Sequence, residues 1–450
     1  MKLFALTALI ATGLFGSVSL FAKSASSDQQ PVRVVIDVDR NVLHAGTTER
    51  AVIKIALDGV KLPRRELRPP VNLALVIDRS GSMGGDKIER AREAALEAVR
   101  QLAPDDIVSI VAYDTTVETL VPAQRVGNGR GLEAAIRSLE PRGNTALYGG
   151  VVRGAEEVRK HIEDSRYISR VILLSDGLAN VGQSSPEELG RLGASFMKEG
   201  ISVSTIGLGL GFNEDLMARL AQRSDGNTYF VQNSDDLPRI FASELGDVLN
   251  VVARRVVVEI QFPEGVRPLN FVGRDGVIRG QQAEVTLSQL YGGQQKFALV
   301  EVEIAPEQAG VEREIASASI RYENALTQQA ERASAKRSVS FSAKAEVVVA
   351  SANHAVQADY ATNALAVAKE KAIELVDAGR RDEAGAVLRA QATELKAMAA
   401  TYNNTLVERS AAAAAPEAER VARDGLDNAQ RKLYRAETSQ VKSQQASGGR

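Results

Sequence analysis

The chain has 450 residues, of which 44% are hydrophobic, 25% charged and 4% aromatic, with a formal net charge of −2. At about 150 residues per domain this length predicts about three domains, and the near-neutral charge removes the electrostatic case for nucleic acid or an anionic membrane surface. Cysteine is absent, which excludes disulfides, thiolate metal sites, cysteine nucleophiles and a lipid-bearing N-terminal cysteine. Residues 1–26 carry Lys2, an apolar stretch to Ala22 and then small residues. That pattern predicts a signal peptide or an N-terminal anchor, and hence an exported protein, periplasmic or secreted. No second apolar stretch of membrane length follows, so polytopic insertion is not expected.

Residues 27–70 contain two alternating runs of strand type, "VRVVIDVD" and "RAVIKIAL", with a turn at Ala45-Gly46 and a polar, proline-bearing linker at 61–70. From 71 to 250 short apolar runs alternate with amphipathic helical patterns. The runs "VNLALVID", "DIVSIVAYD", "SRVILLSDG", "ISVSTIGLG" and "NTYFVQ" read as strands, separated by stretches such as "KIERAREAALEAVRQL" and "SPEELGRLGASFMKEG". This predicts a doubly wound α/β domain, a mostly parallel sheet covered by helices on both faces. Ligands of such folds bind at the carboxyl ends of the strands.

Strand patterns return over 251–350 in "RRVVVEIQFPEG", "QKFALVEVEIAP", "ASASIRYEN" and "AEVVVAS", predicting a β-sandwich. The N-terminal strands of 27–70 have no other sheet to join, so one sandwich assembled from both flanks, with the α/β domain inserted, is expected. Residues 351–437 read as helical, with Ala384, Val387, Leu388, Ala392, Leu395 and Met398 on one face and a break at Ala378-Gly379. The tail 438–450 has nothing obvious to bury and is expected to be disordered.

The chemistry concentrates where "VNLALVID" ends. Asp78, Ser80 and Ser82 present three hard oxygen donors from one glycine-bearing loop, and a buried polar cluster of this kind asks for a partner. Oxygen-only ligation suits Mg²⁺, with Mn²⁺ or Ca²⁺ as alternatives, rather than zinc or copper. Thr145 in "RGNTALYGG" and Asp176 in "VILLSDG" lie in two further loops that can join them, whereas Asp114 in "VAYDTT" reads as structural.

These residues resemble the von Willebrand factor type A domain with its metal-ion-dependent adhesion site, in proteins of the secreted bacterial kind. The family pattern is Asp-x-Ser-x-Ser, then a threonine, then an aspartate, and it falls here on Asp78, Ser80, Ser82, Thr145 and Asp176. The resemblance implies Mg²⁺ at the top of a doubly wound fold, serines that bind it directly, aspartates that often act through water, and one coordination position left for an Asp or Glu carboxylate of a partner protein. It therefore implies an adhesion-type, Mg²⁺-dependent protein-binding module. The alternative is an envelope scaffold or assembly factor that binds through its helical or sandwich regions, with a structural metal site. An enzyme is not expected. "GLGLGF" (207–212) places Phe212 where a dinucleotide loop needs glycine, and His44, His161 and His354 lie far apart in sequence.

Overall fold

The computed structural model describes residues 30–61 and 68–445; the predicted signal peptide or anchor and most of the linker lie outside the described residues. Strands β1 (Val32–Val38), β2 (Val42–His44) and β3 (Glu49–Gly59) come first. The α/β domain follows as β4 (Val71–Asp78), α1 (Asp86–Gln101), β5 (Ile107–Tyr113), β6 (Val117–Arg125), α2 (Arg130–Arg137), α3 (Leu147–Arg159), β7 (Ile168–Ser175), α4 (Pro186–Glu199), β8 (Ser202–Leu208), α5 (Glu214–Arg223), β9 (Thr228–Val231) and α6 (Leu237–Val248). Then come β10 (Val251–Gln261), β11 (Val266–Val272), β12 (Val277–Arg279), β13 (Gln282–Tyr291), β14 (Gln295–Ile304), β15 (Glu312–Asn324) and β16 (Ala330–Ser342). Helices α7 (Ala345–Ala350), α8 (His354–Asp377), α9 (Arg381–Tyr402), α10 (Thr405–Asp424) and α11 (Asn428–Ser443) complete the described chain.

The domain sheet has the order β6-β5-β4-β7-β8-β9, and only the β5–β6 pair is antiparallel. All eight residues of β4 are buried, as a central strand covered on both faces requires. Leu73, Leu75 and Ile77 face the layer of α1 and α6, while Ala74 and Val76 face that of α3. The chain leaves β4 towards β5 on one side and later returns to β7 on the other, so the crevice between the carboxyl ends of β4 and β7 is the topological switch point of the sheet.

Strands from both flanks of this domain build the sandwich. One sheet has the order β1-β3-β14-β11 and the other β12-β13-β10-β15-β16-β2. Strand β3 pairs with β14 from Glu49↔Ile304 to Asp58↔Gln295, which closes the N-terminal strands onto a sheet formed more than two hundred residues later. Ile53, Ile55, Val256, Val258, Val300 and Ile320 lie in the shared core. A buried polar cluster joins sandwich to insert. Arg170 of β7 donates to Ser204 Oγ at 2.9 Å, Gln289 Oε1 at 2.7 Å and Tyr291 Oη at 2.6 Å, and pairs with Glu244 at 3.4 Å.

Two expectations are corrected, and one strand of the inserted domain is added. "AEVVVAS" is not a strand: 345–350 form α7, of which only Val348 is buried. The ladder of β16 already ends beside β2 at Ser342↔His44, so the valine run has no strand to join and context overrides its β propensity. The tail is ordered to residue 445, because α11 passes the expected boundary at 437. Thr438 is buried, Lys442 pairs with Glu370 at 2.8 Å, and Gln440 donates to Thr228 O at 3.1 Å. Strand β6 was not foreseen as an element; it is an edge strand with mixed exposure and Pro122 within it, which weakens its alternation.

Candidate metal centre

Asp78 is the last residue of β4 and is fully buried. Its Oδ1 accepts from the Ser80 backbone N–H at 2.8 Å, and its Oδ2 accepts from Ser175 Oγ at 2.7 Å. The chain then turns through a single 3₁₀ turn at Gly81–Met83. Ser80 Oγ and Ser82 Oγ lie 3.0 Å apart, and Ser82 Oγ donates to Asp176 Oδ1 at 2.7 Å. Gly85, at φ +74°, turns the chain into α1, a left-handed conformation that glycine adopts without strain.

Thr145 arrives from a loop that is tied at several points. Gly81 N–H donates to Gly143 O at 3.0 Å, Ala146 N–H donates to Asp114 O at 2.8 Å, and Thr145 N–H donates to Asn180 Oδ1 at 2.8 Å. Asp114 is the anchor of this loop and does not join the oxygen cluster. Its Oδ2 accepts from Arg79 Nε at 2.7 Å and Arg142 Nε at 3.0 Å. Hydrogen bonds from Thr116, Arg142 and Arg79 outweigh its desolvation and hold its carboxyl well below the usual carboxylate range.

Gly177 shows where the donors converge. A β-carbon built on it would lie 2.8 Å from Thr145 Oγ1, 3.3 Å from Ser82 Oγ and 3.7 Å from Ser80 Oγ. Three hydroxyls, two from the serine loop and one from the Thr145 loop, therefore face one small space beside a third loop that a single methyl group would fill. Asp78 and Asp176 lie behind them and are both almost wholly buried. Burial pushes the Asp78 carboxyl up to about 6 against the pull of its Ser80 and Ser175 hydrogen bonds, and the nearby Asp176 pushes the same way. Two desolvated carboxylates side by side are unfavourable unless a cation joins them.

All five sequence-derived residues are thus brought together. The donor set is oxygen throughout, and among the described residues no three His, Cys, Asp or Glu side chains cluster as a metal site. The cradle therefore fits a hard divalent cation of the Mg²⁺, Mn²⁺ or Ca²⁺ kind and offers nothing soft. The three histidines lie elsewhere: His44 in β2, His161 beyond α3 and His354 at the start of α8.

Sequence reasoning missed Lys87. Its ammonium pairs with Asp176 Oδ2 and lies 3.3 Å from Ser82 O. The available signal was its place in the first turn of a helix that opens directly beneath the serine loop. It also missed Ser175 and Asn180, the supports of Asp78 and Thr145.

Comparison with known proteins agrees with this fold. Residues 72–243 match the family model of the von Willebrand factor type A domain. An uncharacterised protein of Synechocystis sp. is 30% identical over 213 residues, which are 47% of this chain and 50% of that protein. The uncharacterised protein YfbK of Escherichia coli is 28% identical over 48% of this chain and 37% of its own length. The inter-alpha-trypsin inhibitor heavy chain H3 of Rattus norvegicus is 29% identical over 43% of this chain and 22% of its own. The chain thus spans half or less of the curated relatives it matches. Two solved structures share the fold over most of the chain. A von Willebrand factor type A protein from Catenulispora acidiphila has a TM-score of 0.64 at 18% identity, covering 82% of this chain and 88% of its own. The ArnB paralog VWA2 from Sulfolobus acidocaldarius has a TM-score of 0.59 at 18% identity, covering 92% and 98%. The inserted α/β segment of this chain, residues 72–243, is a von Willebrand factor type A domain.

Proposed function

We propose that the chain is an exported, Mg²⁺-dependent protein-binding module, with the inserted domain as its recognition head and an Asp or Glu carboxylate of a partner protein as its target. The observation that carries this reading is the cradle at Gly177, where hydroxyls of Ser80, Ser82 and Thr145 meet in front of Asp78 and Asp176. Ser80, Ser82 and Thr145 would hold the cation and the two aspartates would balance its charge. When bound, the cation supplies a Lewis-acidic position that accepts an anionic oxygen. Five protein donors, three of them neutral, leave such an ion short of ligands, so an outside carboxylate completes the set.

The surrounding residues support a rigid binding site. Asp114, Arg79 and Arg142 lock the loops by ion pairs, which suits a preformed binding site. Among the described residues no helix is long and apolar enough to cross a membrane. Export is inferred from the composition of residues 1–26. The test is isothermal titration of the chelator-treated chain with Mg²⁺, Mn²⁺ and Ca²⁺, beside Asp78→Ala, followed by partner capture from envelope extract in Mg²⁺ or EDTA. Saturable cation binding lost in Asp78→Ala, with a protein retained only in Mg²⁺, is the expected result. A protein retained equally in EDTA would move binding to the sandwich or the helices.

A further inference from the structure

The mouth of the oxygen cluster carries a feature that cation binding does not require. Leu178 is 60% exposed, the highest value among the exposed large hydrophobic residues of the described chain, and Leu210 is 45% exposed. Leu178 lies on the arc between Gly177 and Asn180. Gly177 abuts Thr145 Oγ1, and Asn180 exchanges hydrogen bonds with the Thr145 backbone. Leu210 belongs to the adjoining β8–α5 loop. That loop lies so close to the metal loop that a β-carbon on Gly211 would be 2.6 Å from Asp176 O. The two leucines are therefore on neighbouring loops that border the same crevice.

Leu210 is exposed on a backbone that is firmly held. Asn428 of α11 donates to Leu210 O at 3.2 Å. Lys432 of α11, itself only 2% exposed, donates to Phe212 O at 2.5 Å, pairs with Glu214 and lies 4.4 Å from the Phe212 ring centroid. A helix more than two hundred residues away is thus spent on fixing a loop whose apolar tip faces water. An apolar side chain on a pre-organised backbone is the arrangement that favours a binding contact, because little ordering entropy remains to be lost.

Charge sets the other half of the signature. Two carboxylates, Asp78 and Asp176, cancel a dication, and Lys87 then leaves the mouth with one net positive charge. Arg79 and Arg142 do not add to it, since Asp114 and Glu118 match them.

We propose that this mouth reads a two-residue signature on its protein partner: an Asp or Glu carboxylate directly beside a large apolar side chain. The carboxylate goes to the oxygen cluster and Lys87, and the apolar neighbour packs against Leu178 and Leu210. This rests on the metal-dependent binding proposed above and assigns its specificity to two leucines outside the ligand set.

The test pans a random nonapeptide library on phage against the immobilised full chain in Mg²⁺ and elutes with EDTA. Enrichment of Asp or Glu beside Leu, Ile, Met or Phe is expected. A synthetic peptide of that sequence should bind about tenfold more tightly than its counterpart with serine in place of the apolar residue. In Leu178→Ser/Leu210→Ser the two peptides should bind equally, and in Leu178→Met/Leu210→Met the tenfold preference should return. Acidic peptides with no preferred neighbour, or a preference that survives the serine variant, would overturn the signature and leave metal-dependent binding standing. No EDTA-eluted peptide at all would overturn both readings. Mg²⁺-dependent dimerisation of the chain without peptide binding would give the face to a second copy and overturn the signature too.

Discussion

Gly177→Ala isolates the metal cradle from the fold. Gly177 is not among the glycines at positive φ, so alanine meets no backbone strain there. Its methyl carbon would lie 2.8 Å from Thr145 Oγ1 and 3.3 Å from Ser82 Oγ, where an ordinary carbon–oxygen contact is about 3.3–3.6 Å. The Thr145 hydroxyl must yield by about half an ångström, and a β-branched side chain has few rotamers with which to do so. Mg²⁺ needs its oxygens at about 2.0–2.1 Å in near-octahedral array, and a methyl group now occupies the space those oxygens share. We expect cation affinity to fall at least about a hundredfold, or about 2.7 kcal/mol. In the absence of metal the variant should lose only about 1–2 kcal/mol of stability, the cost of one crowded methyl. Calorimetric titration with Mg²⁺ measures the first and urea unfolding in EDTA the second. Wild-type affinity in the variant would refute the placement of the ion. A loss well above 3 kcal/mol in EDTA would instead mark Gly177 as a packing residue.

Arg170→Met should cost about 3–5 kcal/mol in urea unfolding, because it leaves the fully buried Glu244 without its cation. Arg166→Ala, which breaks the exposed pair with Asp164, should cost less than about 1 kcal/mol. Burial, together with the charge of Glu244, pushes the Asp247 carboxyl up to about 6. A raised carboxyl binds protons in the folded state before the unfolded one, so it contributes a rise in stability as the pH falls from 7 towards 5. Asp247→Asn should flatten that slope, read from urea midpoints at the two pH values. Gly246 lies inside α6 with open space at its β-position. Gly246→Ala should therefore raise stability by about 0.5–1 kcal/mol with no change in cation affinity.

The inserted domain was the most legible part of the sequence because its strands are buried on both faces. Runs such as "VNLALVID" stand out without any knowledge of their neighbours. The five oxygen donors were legible for a related reason: a polar residue that ends such a run is conspicuous. The sandwich was harder to read. In β16, Ala330, Arg332, Ser334, Lys336 and Ser338 alternate with small or charged residues, so the strand has little apolar face to betray it, and β15 supplies its register. Helix α11 was cut short in the reading because its buried positions include Lys432 and Thr438. Lys432 is held there by Phe212 O and Glu214 of the inserted domain, and the neighbouring Gln440 by Thr228 O, and local sequence does not carry that information. Lys87 was missed for the converse reason. A lysine in the first turn of a surface helix looks ordinary until its carboxylate partner is known.

The attachment of the head has a mechanical consequence. The domain enters from β3 and leaves through α6, with only Leu249 and Asn250 between α6 and β10, so both of its ends are rooted in the same sandwich. Helix α11 adds a third fastening beside the crevice, through Asn428 and Lys432. A pull exerted by a captured partner would divide among these fastenings instead of peeling the head from a single tether. The strands of the sandwich would share that load.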